Sequence, residues 1–193
     1  MAGIRGMNEQ GFSIIEIMVV VLIIGILVVS FGYTYQGWRI KYALEKDTKR
    51  FYSEIAGTRS RAMNTKRYQF VRFPSASPDT FYIYDDLYPA PDGNGKLEEF
   101  SDIDPITNAP TVSITFDITS ISPGGISGFN INPSGLVEND AGVIINPIHI
   151  WIYDPDVDKT VTAQPVTDYN CLSIEATKFN IGLWNSSNKC EIK

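Results

Sequence analysis

A polar stretch opens the chain and is followed at once by a long apolar run. Residues 12–31, FSIIEIMVVVLIIGILVVSF, carry Glu16 as their only charge. Twenty helical residues span about 30 Å, the thickness of a bilayer's hydrocarbon core. A surface helix of a soluble protein would show a polar face, and residues 17–29 show none. The pattern predicts a transmembrane helix over 12–33. A cleaved secretory signal, the alternative, is disfavoured because the run is long and lacks a small-x-small site.

Apolar residues continue beyond this run at helical spacing. Ile40, Leu44, Phe51, Ile55 and Ala62 fall on one narrow stripe of a helical wheel. We therefore expect the helix to continue as an amphipathic segment over 34–65, to lay its stripe on a packed head and to end near residues 64–65. The alternative, a membrane anchor followed by an unrelated loop, does not explain the continuous stripe.

After residue 65 the pattern changes to period two, interrupted by turn signals. Strands are predicted over 68–73, 80–84, 111–118, 126–131 and 148–153. The region 171–184 changes parity, which predicts a bulge or a turn near Thr177. We expect an α+β protein in which residues 66–193 form a β-rich head of one or two antiparallel sheets against the helix.

Composition and charge divide the chain in the same way. All 11 prolines lie between residues 74 and 165. Residues 39–72 contain ten basic and three acidic residues, whereas residues 73–193 contain five basic and 17 acidic ones. The net charge of −6 argues against a general nucleic-acid coat. A hydrophobic content of 44% excludes a disordered chain.

Glu16 is the unusual residue of the apolar run. A carboxylate within a membrane helix costs about 2.5–3.5 kcal/mol, so such residues generally have a partner or a function. No Lys, Arg or His lies within one helical turn of it. The alternative is that its side chain simply reaches the lipid headgroups.

The segment around this carboxylate, Gly11-Phe12-Ser13-Ile14-Ile15-Glu16, resembles the processing site of type IV prepilins. The resemblance implies that residues 1–11 are a leader, that a prepilin peptidase cleaves between Gly11 and Phe12, and that Phe12 is then N-methylated. It also implies an assembly role for Glu16, facing the amino terminus of a neighbouring subunit. The leader departs from the family in having a single basic residue, Arg5, and translation starts at Met1 or at Met7.

Two further segments resemble the GspH/FimT group of minor pilins and pseudopilins: residues 58–62, TRSRA, and residues 129–137, FNINPSGLV. Members of this group commonly have a Gly-Arg-hydrophobic element late in the chain. The corresponding residues here, 180–184, contain no Arg. The resemblance implies a non-enzymatic subunit without cofactor that primes or caps a type IV pilus or a type II secretion pseudopilus. Its partners would be other pilins, an inner-membrane assembly platform and lipid, with the head outside the bacterial inner membrane. A major pilin and a DNA-binding minor pilin of an uptake pilus are the alternatives.

The alternative of DNA binding rests on a basic segment that is interleaved with aromatic residues. Its cations are Arg59, Arg61, Lys66, Arg67 and Arg72. Strand alternation places Tyr68, Phe70 and Arg72 on one face. The acidic chain beyond residue 73 would repel phosphate, so nucleic acid is not the expected partner.

Two cysteines, Cys171 and Cys190, enclose 18 residues. In an extracytoplasmic head, a disulfide between them would add about 3 kcal/mol. Two buried free thiols are the alternative.

Acidic turns and a single histidine complete the candidate chemistry. Asp154, Asp156 and Asp158 form a D-x-D-x-D run, and residues 92–99 form a second acidic turn. Calcium prefers such oxygens, but neither run has the glycine that an EF-hand loop requires at its sixth position. We expect a solvated turn at 154–158 and no metal. His149 has no nucleophile motif near it and is expected to be structural.

Overall fold

The structure is a computed structural model that describes residues 12–87, 93–97, 110–117, 119–145, 147–157 and 166–192, with the backbone alone at 31–34 and 36. It contains one helix and ten strands in this part of the chain. The elements are α1 (Ile14–Thr65), β1 (Gln69–Arg72), β2 (Thr80–Asp85), β3 (Val112–Thr115), β4 (Ser120–Ser122), β5 (Gly128–Ile131), β6 (Val137–Glu138), β7 (Ile148–Tyr153), β8 (Cys171–Ile174), β9 (Phe179–Trp184) and β10 (Cys190–Ile192).

Two compact units divide the chain between Arg39 and Ile40. In the first unit, residues 14–39 belong to α1. No helix within the described residues is long and apolar enough to cross a membrane. The transmembrane assignment of 12–33 and the boundary at 34–65 stay predictions.

The second unit begins with the amphipathic part of α1. Leu44, Phe51, Ile55 and Ala62 are fully buried, and Ile40 packs against the same core. The predicted apolar stripe is therefore confirmed. The helix ends at Thr65, as expected.

Two antiparallel sheets follow the helix. The first has the strand order β3-β2-β1-β5-β6, and the second has the order β10-β9-β8-β7-β4. Alternate residues of both sheets join the helix stripe in one core, which confirms the α+β class. This core includes Val71, Phe81, Ile83, Phe129 and Ile131 from the first sheet and Ile150, Ile152, Leu172 and Ile174 from the second.

Several strand predictions need correction. The region 171–184 is two strands, β8 and β9, joined by a turn in which the N–H of Glu175 donates to the carbonyl of Lys178 at 2.9 Å. The parity change near Thr177 is thus the predicted turn, and the alternative of a bulge is wrong. Strand β3 is shorter than the predicted 111–118, and β5 begins at Gly128. Strands β4, β6 and β10 were not predicted because segments of two or three residues show no readable alternation.

Candidate functional site

The candidate site is the start of α1. The carbonyl of Ser13 accepts hydrogen bonds from the N–H groups of Glu16, at 3.0 Å, and Ile17, at 3.3 Å. Ser13 is therefore the N-cap residue. Phe12 lies directly before the cap and is 78% exposed. The other residue of the predicted cleavage site, Gly11, lies outside the described residues.

Glu16 lies in the first helical turn. Unsatisfied N–H groups there carry partial positive charge, which stabilises a carboxylate by about 0.3–1 kcal/mol. Within the described residues its side chain is exposed and forms no ion pair. The Ser13-x-x-Glu16 spacing of a capping box signals this favourable helix position in the sequence, and the signal was overlooked above. The carboxylate is thus tolerated by its own helix and accessible to a cation from outside.

The helix that follows exposes apolar side chains on every side. Between residues 14 and 29, the exposed fractions of its large apolar residues run from 48% at Leu27 to 79% at Ile14. The Ser30 hydroxyl donates to the Ile26 carbonyl at 2.9 Å, so this polar group is satisfied without water. An apolar surface of this extent requires cover by lipid or by other protein chains.

At the helix end, two candidate DNA-binding arginines are already bonded within the head. Arg59 donates to the Thr177 carbonyl, and its guanidinium lies 5.7 Å from the ring centre of Phe179. Arg61 donates to the Thr58 hydroxyl at 3.0 Å. Both side chains therefore contribute to packing of the helix end.

A third arginine is bonded on the first sheet. Arg72 forms a 2.7 Å ion pair with Asp140, donates to the Asn130 side chain at 3.0 Å and lies 5.6 Å from the ring centre of Phe70. The ring of Tyr68 stacks on Phe70 at 6.4 Å. The predicted shared face of Tyr68, Phe70 and Arg72 is thus present, and its members contact one another.

The other two cations of this segment lie just after the helix. Lys66 is exposed in a left-handed conformation, with φ of 59°, and Arg67 is half-buried. Three of the five cations, Arg59, Arg61 and Arg72, thus have partners within the protein, and of the five Lys66 alone is exposed rather than half-buried.

The disulfide prediction is confirmed, and the free-thiol alternative is wrong. Cys171 and Cys190 are bonded, with their Cα atoms 5.7 Å apart. They lie on β8 and β10, so the bond crosses the intervening strand β9 at Gly182, which pairs with Cys171. A Cβ at Gly182 would lie 3.1 Å from the Cys190 sulfur and 2.0 Å from the Glu191 carbonyl oxygen. The signal in the sequence is a glycine in the middle of a strand.

The acidic run forms a turn. An Asp154 side-chain oxygen accepts the Asp156 N–H at 3.0 Å. Asp154 is only 5% exposed, whereas Pro155 and Asp156 are exposed, as expected for a solvated turn. Asp158 lies outside the described residues, as do Asp92, Glu98 and Glu99 of the acidic turn at 92–99. Nowhere in the described ranges do three His, Cys, Asp or Glu side chains cluster in a way that could hold a metal ion.

His149 lies half-buried on β7. Burial lowers its pKa, as does the positive charge of Lys189, while Glu175 acts in the opposite direction. The imidazole is therefore neutral at pH 7.

Comparison with known proteins bears on the N-terminal site. Residues 6–31 match the family model described as the prokaryotic N-terminal methylation motif. No curated protein matches the chain. The minor pseudopilin EpsH from the type 2 secretion system of Vibrio cholerae is similar over 72% of this chain and 94% of that chain, at 9% identity and a TM-score of 0.44. The type IV minor pilin FimU of Pseudomonas aeruginosa is similar over 80% and 94%, at 13% identity and a TM-score of 0.46.

The structure is an α+β fold in which the C-terminal part of helix α1 packs on antiparallel sheets. At its N-terminal end the chain carries the prokaryotic N-terminal methylation motif, matched over residues 6–31. The resemblance predicted from residues 11–16 is confirmed.

Proposed function

We propose that the protein is a structural subunit of a type IV pilus or a type II secretion pseudopilus. It is made as a precursor and cleaved between Gly11 and Phe12, and the new terminus at Phe12 is methylated. Residues 12–33 hold it in the bacterial inner membrane with the head outside. The single observation that carries the proposal is the methylation motif at 6–31, placed directly on an apolar helix with exposed side chains.

The physical role of Glu16 follows from the charge that cleavage creates. A new α-amine at Phe12 is positive, and it lies in an apolar segment that has no other cation. Pairing with the Glu16 carboxylate of a neighbouring subunit relieves both charges. Because an unpaired buried charge costs about 3–5 kcal/mol, loss of one partner should weaken assembly more than loss of both.

The finer assignment is to the minor subunits that prime or cap the filament. It rests on the two segments that resemble the GspH/FimT group. Residues 58–62 lie in the last turns of α1, and residues 129–137 form β5, the following turn and the start of β6. Partners of such a subunit would be the prepilin peptidase, other pilins and the inner-membrane assembly platform. A low copy number per filament separates this role from that of a major pilin.

The disulfide and the bonded arginines of the protein also agree with a structural role. The two cysteines are joined in a disulfide, which favours an oxidising compartment outside the cytoplasm. Arg59 and Arg72 bond to residues of the head, and Arg61 bonds to its own helix, which favours the structural role over DNA uptake. No cofactor and no enzymatic activity belong to the proposal.

Site-specific crosslinking in membranes tests the assembly role. Glu16→Ala should insert and be cleaved normally but lose crosslinks to partner pilins, by several hundred-fold in association constant if about 3–5 kcal/mol is lost. Glu54→Ala, which removes a carboxylate from the same helix within the head, is the matched control and should crosslink normally. Normal crosslinking of Glu16→Ala would mean that the carboxylate only reaches the headgroups, and the proposed pairing would be wrong.

A further inference from the structure

Two adjacent cavities form a groove on the head. The larger has a volume of about 780 Å³ and the smaller one of about 460 Å³. Ser122, Gly125 and Ile126 line both cavities, so the two are continuous. The larger opens beside β7 and the smaller beside the segment that follows β1. An elongated ligand would therefore fit better than a compact one.

The lining of this groove is uncharged. No Asp, Glu, Lys or Arg occurs among the described residues that line either cavity. This contrasts with a head that carries 17 acidic residues beyond position 72. The walls combine apolar side chains such as Ile126 and Pro147 with uncharged polar ones such as Ser122 and Asn188. Such a lining suits a neutral ligand that has both C–H surface and hydrogen-bonding groups.

Two tryptophans form one wall of the larger cavity. Trp151 and Trp184 stack with their ring centres 5.5 Å apart, and each is 7% exposed. Their Nε1 atoms are buried, and neither has a hydrogen-bond partner within the described residues. Packing against the disulfide explains the stacking, but it leaves both buried donors without a partner among the described residues, which is unfavourable for an N–H group. Ligand oxygens could accept from both after a small shift of the indoles.

Further polar groups surround the tryptophans. The Nδ1 of His149 is also buried without a partner among the described atoms, and this ring lines the same cavity. Asn188 is exposed at the rim, in a turn where its φ is 56°. An amide both donates and accepts, as does a neutral imidazole. Hydroxyl groups of a ligand also donate and accept hydrogen bonds, so they would pair well with these side chains.

We propose that this groove binds a neutral oligosaccharide, with one sugar ring in the cavity of Trp151 and Trp184 and the chain continuing toward the smaller cavity. Sugar hydroxyls accept from the indole nitrogens and exchange hydrogen bonds with His149 and Asn188. The C–H faces of the rings pack on the apolar wall. This binding activity goes beyond the structural role and does not depend on it.

Indole fluorescence tests the proposal directly. The full chain is kept in a detergent without a sugar headgroup, and Trp38→Phe removes the tryptophan of α1 so that the cavity pair dominates the signal. An array of immobilised neutral and acidic oligosaccharides identifies the probe. The best neutral tetrasaccharide is then titrated as the free sugar, beside its polymer, an acidic tetrasaccharide and an uncharged proline-rich hexapeptide.

The expected result is saturable binding of the neutral sugar, with a change in indole emission. A stronger response to the polymer assigns a polysaccharide, and an equal response assigns a free oligosaccharide; either supports the proposal. Trp184→Phe keeps an aromatic ring but removes one donor, and it should weaken binding about tenfold. Since that change could disturb folding, Asn188→Gly provides a second test. It keeps the left-handed turn, and it should weaken binding several-fold with unchanged thermal stability.

Three results would overturn the proposal. The first is that no neutral sugar binds. The second is that the hexapeptide or the acidic sugar binds as tightly as the neutral one. The third is that Trp184→Phe and Asn188→Gly, both folded, bind the sugar as well as the Trp38→Phe parent does.

Discussion

The two parts of helix α1 differ in what covers their apolar side chains. Between residues 14 and 29 every large apolar side chain is about half exposed or more, whereas Leu44, Phe51, Ile55 and Ala62 are fully buried in the head. The difference follows from spacing, since the first part is apolar on all sides and the second on one stripe. One helix thus packs into a folded core at one end, while in the proposed function its other end contacts lipid or neighbouring subunits.

The largest loss of stability should come from truncating a side chain in the buried part of the helix. Phe51 lies 4.7 Å from the ring centre of Phe81 and 6.1 Å from that of Phe73. Phe51→Ala should lower the free energy of unfolding of the head by about 3–5 kcal/mol, because it leaves a cavity at this aromatic cluster. Urea unfolding of the full chain in micelles, followed by near-ultraviolet circular dichroism, measures the loss. Val21→Ala, at a position that is 63% exposed, is the control and should leave the transition unchanged; similar losses in both variants would contradict the distinction.

A smaller effect is expected where the disulfide crosses β9. Gly182→Ala places a methyl group against the Glu191 carbonyl and the Cys190 sulfur, so the backbone must shift. A loss of about 1–3 kcal/mol is expected, as for other overpacked sites. The matched control is Gly57→Ala on the helix, where the added Cβ meets no atom within 4 Å beyond the adjacent backbone of the helix itself. That change should stabilise the head by about 0.5–1 kcal/mol, and unfolding in urea compares the two. Equal effects of both changes would show that the crossing is not tightly packed.

The smallest effect concerns a buried carboxyl on the helix. Asp47 is buried and accepts a hydrogen bond from the Thr119 hydroxyl at 2.7 Å. Burial raises its pKa above 3.8 in spite of that bond and of Lys46 and Arg50 nearby. The folded state therefore binds the proton more tightly, and this stabilisation is lost as the pH rises from 3.8 through the folded pKa.

Replacement by a neutral amide isolates this contribution. Below pH 3.8, Asp47→Asn should have the same free energy of unfolding as the parent. Above that pH the variant should be the more stable of the two, by no more than about 1 kcal/mol. Thermal unfolding between pH 3 and pH 7 measures the difference, and Asp117→Asn, at an exposed neighbour, is the control. If the parent instead became more stable relative to Asp47→Asn as the pH rises, that result would contradict the raised pKa of Asp47.

Local patterns predicted the helix and much of the sheet. The stripe from Ile40 to Ala62, the end of α1 and the site of the break near Thr177 follow from periodicity, which depends on neighbouring residues. The pairing of Arg72 with Asp140, 68 residues later in the chain, depends on the packing of the first sheet and has no local signal. The same holds for the crossing at Gly182, which exists only because β9 lies between the two cysteine strands. The N-cap at Ser13 was readable and was overlooked.

The proposed function depends most on the N-terminal segment, and one measurement by mass spectrometry tests it. The chain is co-expressed with a prepilin peptidase and purified from membranes, and its N-terminal peptide is sequenced by mass spectrometry. N-methylated Phe12 as the first residue is the predicted result, with Gly11→Leu leaving the leader in place as the control. An intact terminus at Met1 or Met7 in assembled material would contradict the central claim.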